Sequence, residues 1–180
     1  RDLLAALNGD SPASRSTVDY RTYVLEQRRW VEGEAGQRAR SYWLDLLSGE
    51  LPVLGLPIDA SPTDRSTVSS RMLRFELSEA FCDQLREFAR AKRITLFTLV
   101  LGAYHLVLRR YAGQEDIITG TPATGRVDSR FENTVGYFVN PVAIRSCPAS
   151  DQPVETFLTA LRDQVMKALS FQDYPFPLVV

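Results

Sequence analysis

Three polar side chains stand where their surroundings restrict what they can do. Asn140 lies in an otherwise apolar run, so its amide must find hydrogen-bond partners or remain a costly unpaired group. It therefore either braces the fold or contacts a bound molecule. Arg126 follows a Gly-Thr-Pro turn and can hold a carboxylate through paired hydrogen bonds, or else stay solvated or in a local ion pair. Asp173 precedes Tyr174-Pro175-Phe176, and we predict that it caps backbone N–H groups there.

The sequence lacks the residue patterns of a catalytic histidine, a serine nucleophile, a metal site or a phosphate-binding loop. His105 is the only histidine, and its neighbours at helical spacing are mostly apolar, which predicts a packing residue that does no chemistry. No Gly-x-Ser-x-Gly turn supplies a nucleophile. No His, Cys or carboxylate cluster has metal-ligand spacing, and no glycine-rich phosphate cradle follows a strand. We expect neither a metal nor a directly bound cofactor.

Composition narrows the class of partner. The 180 residues carry a net charge of −1 with no basic block, so neither nucleic acid nor a membrane surface is an expected partner. Cys82 and Cys147 lie far apart, which predicts no zinc site or disulfide and fits a reducing compartment. The start has no initiator methionine, signal peptide or membrane-length apolar run. We expect an excised piece of a cytoplasmic protein.

The elements that position these residues follow from periodicity and capping signals. Residues 2–8 are predicted to end a helix, and 50–65 to form an extended connector. Alternation at Leu73, Phe75 and Leu77 predicts a half-buried strand. The helix that Thr95 caps has little polar surface and is predicted to be the most buried. Further helices are predicted from Thr17 or Asp19 to Trp30, across Tyr42–Leu47, after Ser78 and around 154–165. Strands are predicted at 116–121 and 137–145, with a polar loop at 125–133.

Strands that alternate with long helices predict an α/β layered fold, and two motifs connect it to a family. The run Val135-Gly136-Tyr137-Phe138-Val139-Asn140, followed by Arg145, resembles one signature of the condensation domains of nonribosomal peptide synthetases. Gln172-Asp173-Tyr174-Pro175-Phe176 resembles a second signature. Asp19 and Tyr20 stand in a degenerate third signature, from which Thr17, Arg21 and Tyr23 depart. Pro141 and Pro177 replace the usual threonine and glutamate.

The resemblance implies a chloramphenicol-acetyltransferase-like fold of two lobes around a tunnel. Residues 1–18 would end a preceding helix and linker, and 19–180 would form most of the second lobe. The family's His-His-x-x-x-Asp-Gly motif is not in these 180 residues and is expected upstream, so no catalytic residue is assigned here. The tunnel or inter-lobe candidates are Asn140, Arg126, Tyr137 and Gly136, with Arg126 a candidate partner of the upstream motif aspartate. The motif residues expected to be structural are Asp19, Tyr20, Phe138, Arg145, Gln172, Asp173, Pro175 and Phe176.

The resemblance also implies a reaction and its partners. Condensation domains join a carrier-bound donor thioester to a carrier-bound acceptor amine, and the phosphopantetheine arm belongs to the carrier domains. Expected partners are the upstream half of the domain, donor and acceptor peptidyl carrier domains, and a neighbouring adenylation domain. Three alternatives stay open: an epimerisation domain, an ester-forming acyltransferase, or a degenerate domain that docks carriers or a tailoring enzyme. We expect this piece alone to be inactive.

Overall fold

A computed structural model describes residues 7–9, 18–57 and 72–179 of the chain. Within the predicted first segment, Leu7 is helical and Asn8–Gly9 form a turn, with Gly9 at φ +78°. Residues 1–6 and 10–17 of that segment, and 58–65 of the connector, lie outside the described residues. The described part of the connector has no regular structure, and the Gly55 N–H donates to Gln114 Oε1 at 3.2 Å. That bond fixes the connector to the turn after a long helix.

The described residues contain long helices, a pair of strands and short 3₁₀ turns. The two strands pair antiparallel, in a register that runs from Ile117 opposite Ser146 to Ala123 opposite Asn140. In chain order the elements are α1 (Tyr20–Glu32), α2 (Glu34–Leu46), α3 (Glu79–Ala91), α4 (Leu96–Ala112), β1 (Ile117–Ala123), a 3₁₀ turn (Ser129–Phe131), β2 (Asn140–Ser146), α5 (Val154–Ser170) and a second 3₁₀ turn (Phe176–Leu178).

Helix starts follow the predicted capping chemistry. Asp19 accepts from the Arg21 N–H at 3.0 Å, Ser78 from the Phe81 N–H, and Thr95 from the Thr98 N–H, so each satisfies a donor that the helix itself leaves unpaired. Gly113 ends α4 in the left-handed conformation, at φ +66°. Helices α1 and α2 meet at Gly33 and form a helical hairpin.

The core lies where α4 and α5 pack on the strand pair. Gly102 of α4 lies so close to Leu158 of α5 that an added Cβ would collide with the leucine side chain. His105 is fully buried, with Nδ1 2.6 Å from Ser146 Oγ and Nε2 2.8 Å from Thr119 Oγ1. Burial lowers the pKa of His105 to about 4, so the neutral ring joins α4 to both strands as the predicted packing residue.

The prediction of a half-buried strand at 73–77 is wrong. Residues 72–78 form no strand, and Leu73, Phe75 and Leu77 are 87%, 77% and 51% exposed. A strand needs a hydrogen-bonded neighbour, and the described residues supply none beside this segment. Helices α4 and α5 have the most buried residues of the described helices, which agrees with the prediction for α4, but described residues cover only one of the two apolar faces of α4. We call the other the α4 outer face; its exposed side chains are Phe97, Val100, Tyr104, Val107 and Tyr111.

The second strand is shorter than predicted, since β2 begins at Asn140 and not at Tyr137. Ala123 is the last β1 residue in the ladder, and Gly125 at φ +58° turns the chain away two residues later. The residues before Asn140 therefore have no strand to pair with. Among the described residues, no single helix is long and apolar enough to span a bilayer; α3 and α4 pass that test only as a pair, bent by 100°.

Candidate functional site

Asn140 is the centre of a hydrogen-bonded network at the start of β2. Its Nδ2 donates to the Gln172 and Tyr174 carbonyl oxygens, each at 2.7 Å, and its Oδ1 accepts from the Phe176 N–H at 2.9 Å. We call these four residues the Asn140 network. One side chain thus pairs with three backbone groups of a segment more than 30 residues away in sequence, which is how a half-buried amide avoids an unsatisfied donor or acceptor.

Asp173 lies inside the segment that Asn140 holds, but it does not act as the predicted cap. Its carboxylate makes no hydrogen bond or ion pair with any residue that the structure describes, and the Phe176 N–H is already taken by Asn140. The Asn140 amide reaches that N–H from the start of β2, 36 residues away in sequence, so sequence proximity could not reveal the contact. Burial raises the pKa of Asp173 above its ordinary value. Pro175 follows in extended conformation and begins the short 3₁₀ turn.

The Val135–Asn140 run is held against α1 by aromatic packing. The Tyr20 hydroxyl donates to the Tyr137 carbonyl at 2.6 Å, and its ring lies edge-on to Phe138 with centroids 5.2 Å apart. Gly136 lets this ring approach, because an added Cβ would collide with Tyr20. Phe138 is 4% exposed, whereas Val135 and Tyr137 are 93% and 73% exposed. The Phe138 ring of this run is therefore buried, whereas the side chains of Val135 and Tyr137 are exposed to solvent.

Arg126 holds the loop that leads into this run. Its Nη1 donates to the Phe131 carbonyl and, at 2.8 Å, to the Thr134 carbonyl, while the guanidinium carbon lies 4.0 Å from the centre of the Phe138 ring. Local carbonyl groups and an aromatic face thus position a guanidinium for which the sequence predicted either a carboxylate partner or solvent. Thr134 was not predicted from the sequence; it is buried, and its hydroxyl donates to the Val18 carbonyl at 2.6 Å.

Arg145 joins the far end of β2 to Asp116, the residue before β1, and to α2. Its guanidinium contacts the Asp116 carboxylate, with Nη2 2.6 Å from Oδ2, and its Nη1 donates to the Leu46 carbonyl at 2.8 Å. This hydrogen-bonded pairing holds the pKa of Asp116 below its ordinary value. Asp116 was not predicted as a partner, although antiparallel pairing of β1 with β2 places it beside Arg145. The pair fastens the strand end to the helical hairpin.

The predicted site residues therefore lie in two groups. Asn140, Gln172, Asp173, Pro175 and Phe176 lie together at one end of β2. There Tyr20, which follows the cap Asp19, lies against Gly136, Phe138 and the Tyr137 carbonyl, while the Tyr137 side chain stays exposed. Arg126 lies over the Phe138 ring. Arg145 lies at the other end of β2. In the described ranges, no group of three or more His, Cys, Asp or Glu side chains could hold a metal ion.

Comparison with curated proteins finds long synthetases of which this chain matches a short part. It is 34% identical over 164 residues to tyrocidine synthase 3 of Brevibacillus parabrevis, covering 91% of this chain and 2% of that protein. It is 32% identical over 164 residues to bacitracin synthase 3 of Bacillus licheniformis, covering 91% of this chain and 3% of that protein. The chain thus spans only a small fraction of these relatives.

Comparison with solved structures supports the same placement. The fold matches SgcC5 of Streptomyces globisporus with a TM-score of 0.80 at 24% identity, over 99% of this chain and 40% of that one. It matches AB3403, a four-domain nonribosomal peptide synthetase, with a TM-score of 0.72 at 28% identity, over 79% of this chain and 11% of that one. Structures of condensation domains are also among the matches, which confirms the predicted chloramphenicol-acetyltransferase-like α/β fold. The family model for the condensation domain matches residues 3–180, and the chain therefore belongs to the condensation-domain family.

Proposed function

We propose that this chain forms one wall of the reaction tunnel in a domain that joins a carrier-bound donor thioester to a carrier-bound acceptor amine. The family of condensation domains is of acyltransferase type. The observation that carries the proposal is the family match across residues 3–180, together with relatives that are peptide synthetases. Phosphopantetheine enters as the arm of the carrier domains, and is part of the delivered substrate.

The reaction needs positioning more than it needs a reactive side chain. The acceptor nitrogen attacks the thioester carbon, a C–N bond forms, the C–S bond breaks, and the amine proton leaves as the donor thiol is released. Holding two tethered reactants in line supplies about 7 to 11 kcal/mol of barrier reduction. A wall that fixes the shape of the tunnel therefore contributes to catalysis without donating or accepting a proton.

The Asn140 network supports this role because it makes the wall stiff. Asn140 fixes the backbone of the 172–176 segment, and Tyr20 with Phe138 fixes the run before β2. Tyr137 and its neighbour Gly136 are left on the exposed side, where a reactant or the other lobe would contact them. Arg126 is half-buried in the loop before this run, and we propose that it pairs with a carboxylate of the upstream lobe in the complete domain.

The histidine that the reaction uses must come from outside this chain. His105 has no exposed surface and both ring nitrogens contact hydroxyl oxygens, so it cannot reach an amine. The proposal therefore places proton acceptance or amine orientation on residues of the upstream half of the domain.

The partners follow from the same proposal. The α4 outer face and the segment with Leu73, Phe75 and Leu77 expose large apolar side chains, and exposed apolar surface of this kind marks interaction sites. We assign this surface to packing against the rest of the same condensation domain. Donor and acceptor carrier domains deliver the two substrates, and an adenylation domain is the expected neighbour in the same synthetase.

Intact-mass analysis of the acceptor carrier tests the proposal. The chain joined to the remainder of its condensation domain, supplied with loaded donor and acceptor carriers, is expected to shift the acceptor by the mass of the donor acyl group. The chain alone is expected to give no shift. A folded complete domain that gives no amide product with a panel of loaded carriers would contradict the proposal.

Three additions to this experiment separate the open alternatives: chiral analysis of the residue released from the carrier, a hydroxyl acceptor, and a binding assay with carriers or a tailoring enzyme. Inversion of a carrier-bound residue without a mass change would identify an epimerisation domain, and product with a hydroxyl acceptor alone would identify an ester-forming enzyme. Carrier or tailoring-enzyme binding with no product of either kind would identify a docking domain. Turnover by the chain alone would contradict the assignment of the histidine to the upstream half.

A further inference from the structure

A cavity of about 410 Å³ opens between α1, the 125–131 loop and the segment that Asn140 holds. Its volume lies in the range of about 300 to 1,000 Å³ that small-molecule sites usually occupy. Aromatic side chains from two elements line it: Tyr23 and Trp30 of α1, and Phe131 of the loop. The cavity thus has an aromatic lining of the kind that ligand sites have. The Arg130 guanidinium carbon already lies 5.2 Å from the centre of the Phe131 ring, so Tyr23 and Trp30 are the rings that can face a further cation.

One carboxylate in this cavity has no counter-charge. Asp173 lines it and has neither a hydrogen bond nor an ion pair with any described residue. Its position is fixed, because Asn140 binds the carbonyl groups of the residues on either side, Gln172 and Tyr174. Burial raises the pKa of Asp173. Burial and, to a smaller extent, the negative charge of Asp173 raise the pKa of Tyr23.

The other two acids of the cavity are already paired. Arg130 Nη2 lies 2.8 Å from Glu26 Oε2 and 2.7 Å from Asp128 Oδ2. Arg126, next to the lining residue Gly125, is bound to loop carbonyl groups and the Phe138 ring. The described chain therefore supplies the cavity with an acid but no cation for it. The three acids do not form a group that could hold a metal ion.

From this cavity and its unpaired Asp173 carboxylate, we infer that the site binds an organic cation, a primary ammonium or guanidinium group on an apolar stem. The charged group pairs with Asp173, and the stem and the charge both contact the rings of Tyr23 and Trp30. The cation is either a small molecule or a lysine or arginine side chain of the remaining protein. The inference gives the Asn140 network a second consequence, since the network holds this carboxylate in place.

Titration of the complete condensation domain with n-butylammonium and n-butylguanidinium tests the inference. The indole N–H signal of Trp30 reports on the cavity, and n-pentanol serves as a neutral probe of similar size. Asp173→Asn removes the charge and keeps the shape. Asp163→Asn is the matched control, because Asp163 is exposed on α5 and pairs with Arg162. The unfolding equilibrium of each variant is measured alongside.

Two outcomes support the inference and distinguish the source of the cation. If the cavity is open, the cations but not n-pentanol shift the Trp30 signal, and Asp173→Asn weakens binding about tenfold or more while Asp163→Asn does not. If a side chain of the protein already fills it, no probe binds, and Asp173→Asn raises the unfolding constant about tenfold while the control does not.

Two other outcomes overturn it. The first is probe binding that is equal in Asp173→Asn and in the unsubstituted domain. The second is no probe binding together with a neutral or stabilising Asp173→Asn, because an unpaired, half-buried carboxylate is itself costly and its amide relieves that cost. Neither readout depends on product formation, so failure here leaves the proposed condensation activity standing.

Discussion

The Asn140 network and the α4 outer face differ in how far the chain completes them. At Asn140, one amide side chain pairs with three backbone groups, each at 2.7 to 2.9 Å. On α4, large apolar side chains such as Val100 and Tyr111 are 56% and 67% exposed, and the alternating residues 73–77 lie in no strand. In the first region, residues of this chain supply all three of these hydrogen-bond partners of the Asn140 amide. In the second region, apolar side chains are exposed and no described residue packs over them.

This difference separates two kinds of information in one sequence. The polar motif residues specify a local arrangement that this chain can form by itself. The apolar residues of α4 and of 72–78 specify contacts with polypeptide that the proposed complete domain supplies. Substitutions test each of the two regions, and we give the predictions in order of the expected loss in free energy of unfolding.

A charge on the α4 outer face should have the largest effect. Val100→Lys is expected to destabilise the complete domain by about 4 kcal/mol, because the rest of the domain would bury an unpaired ammonium group. Chemical denaturation measures this loss. Met166→Lys on α5, where Met166 is 61% exposed, is the control and should have little effect. Equal effects of the two substitutions would show that the α4 outer face stays in water.

Removal of the Asn140 amide should cost somewhat less. Asn140→Ala is expected to lower the free energy of unfolding by about 3 kcal/mol, since it leaves three backbone groups without a partner. Gln164→Ala, which removes another half-buried amide on α5, is the control. A change within about 0.5 kcal/mol would mean that water replaces the network at no cost. A loss of product that exceeds the loss of folded protein would add a direct tunnel contact to the bracing role.

A methyl group at Gly136 should have a smaller effect on the same region. Gly136→Ala is expected to cost about 2 kcal/mol, because the Tyr20 ring must move away from the added Cβ. Gly120→Ala in β1 is the matched control, since nothing lies within 4 Å of a Cβ added there. Thermal unfolding of both variants compares them, and a Gly136→Ala as stable as Gly120→Ala would contradict the close approach.

The smallest effect concerns Asp116 and its dependence on pH. The folded-state pKa of Asp116 lies below the ordinary value of 3.8, so its pairing with Arg145 stabilises fully above that value and is lost as the pH falls through the folded pKa. At neutral pH, Asp116→Asn is expected to cost about 1.5 kcal/mol. Urea unfolding from about pH 7 to pH 3 should show this difference shrink in acid. A difference that is constant with pH would contradict the pairing.

Local chemistry could be predicted from the sequence, and long-range contacts could not. Asp19, Ser78 and Thr95 were predicted as possible caps because capping depends on residues within three positions. The start of β2 was placed three residues too early, because it depends on where β1 ends and on the contact between Gly136 and Tyr20, more than 100 residues apart. The alternation at 73–77 is a genuine strand pattern, but pairing requires a neighbour that alternation does not supply.

For the candidate site, too, local requirements could be predicted from the sequence and long-range partners could not. The sequence required partners for the Asn140 amide but could not identify the Gln172, Tyr174 and Phe176 backbone groups. The Arg145–Asp116 pair had a usable signal, since opposite charges at the adjoining ends of antiparallel strands come side by side. No sequence pattern indicated the cavity beside Asp173, because this cavity forms only where α1 and the 125–131 loop meet.

Hydrogen–deuterium exchange, compared between this chain alone and the complete domain, tests the contrast most directly. Peptides from the Asn140 network, covering 140–146 and 172–178, are expected to be protected to the same extent in both. The 72–78 peptide is expected to exchange freely in the chain alone and to gain protection in the complete domain, where the rest of the domain would pack against it. Protection of the network peptides only in the complete domain, or free exchange of 72–78 in both, would contradict the account.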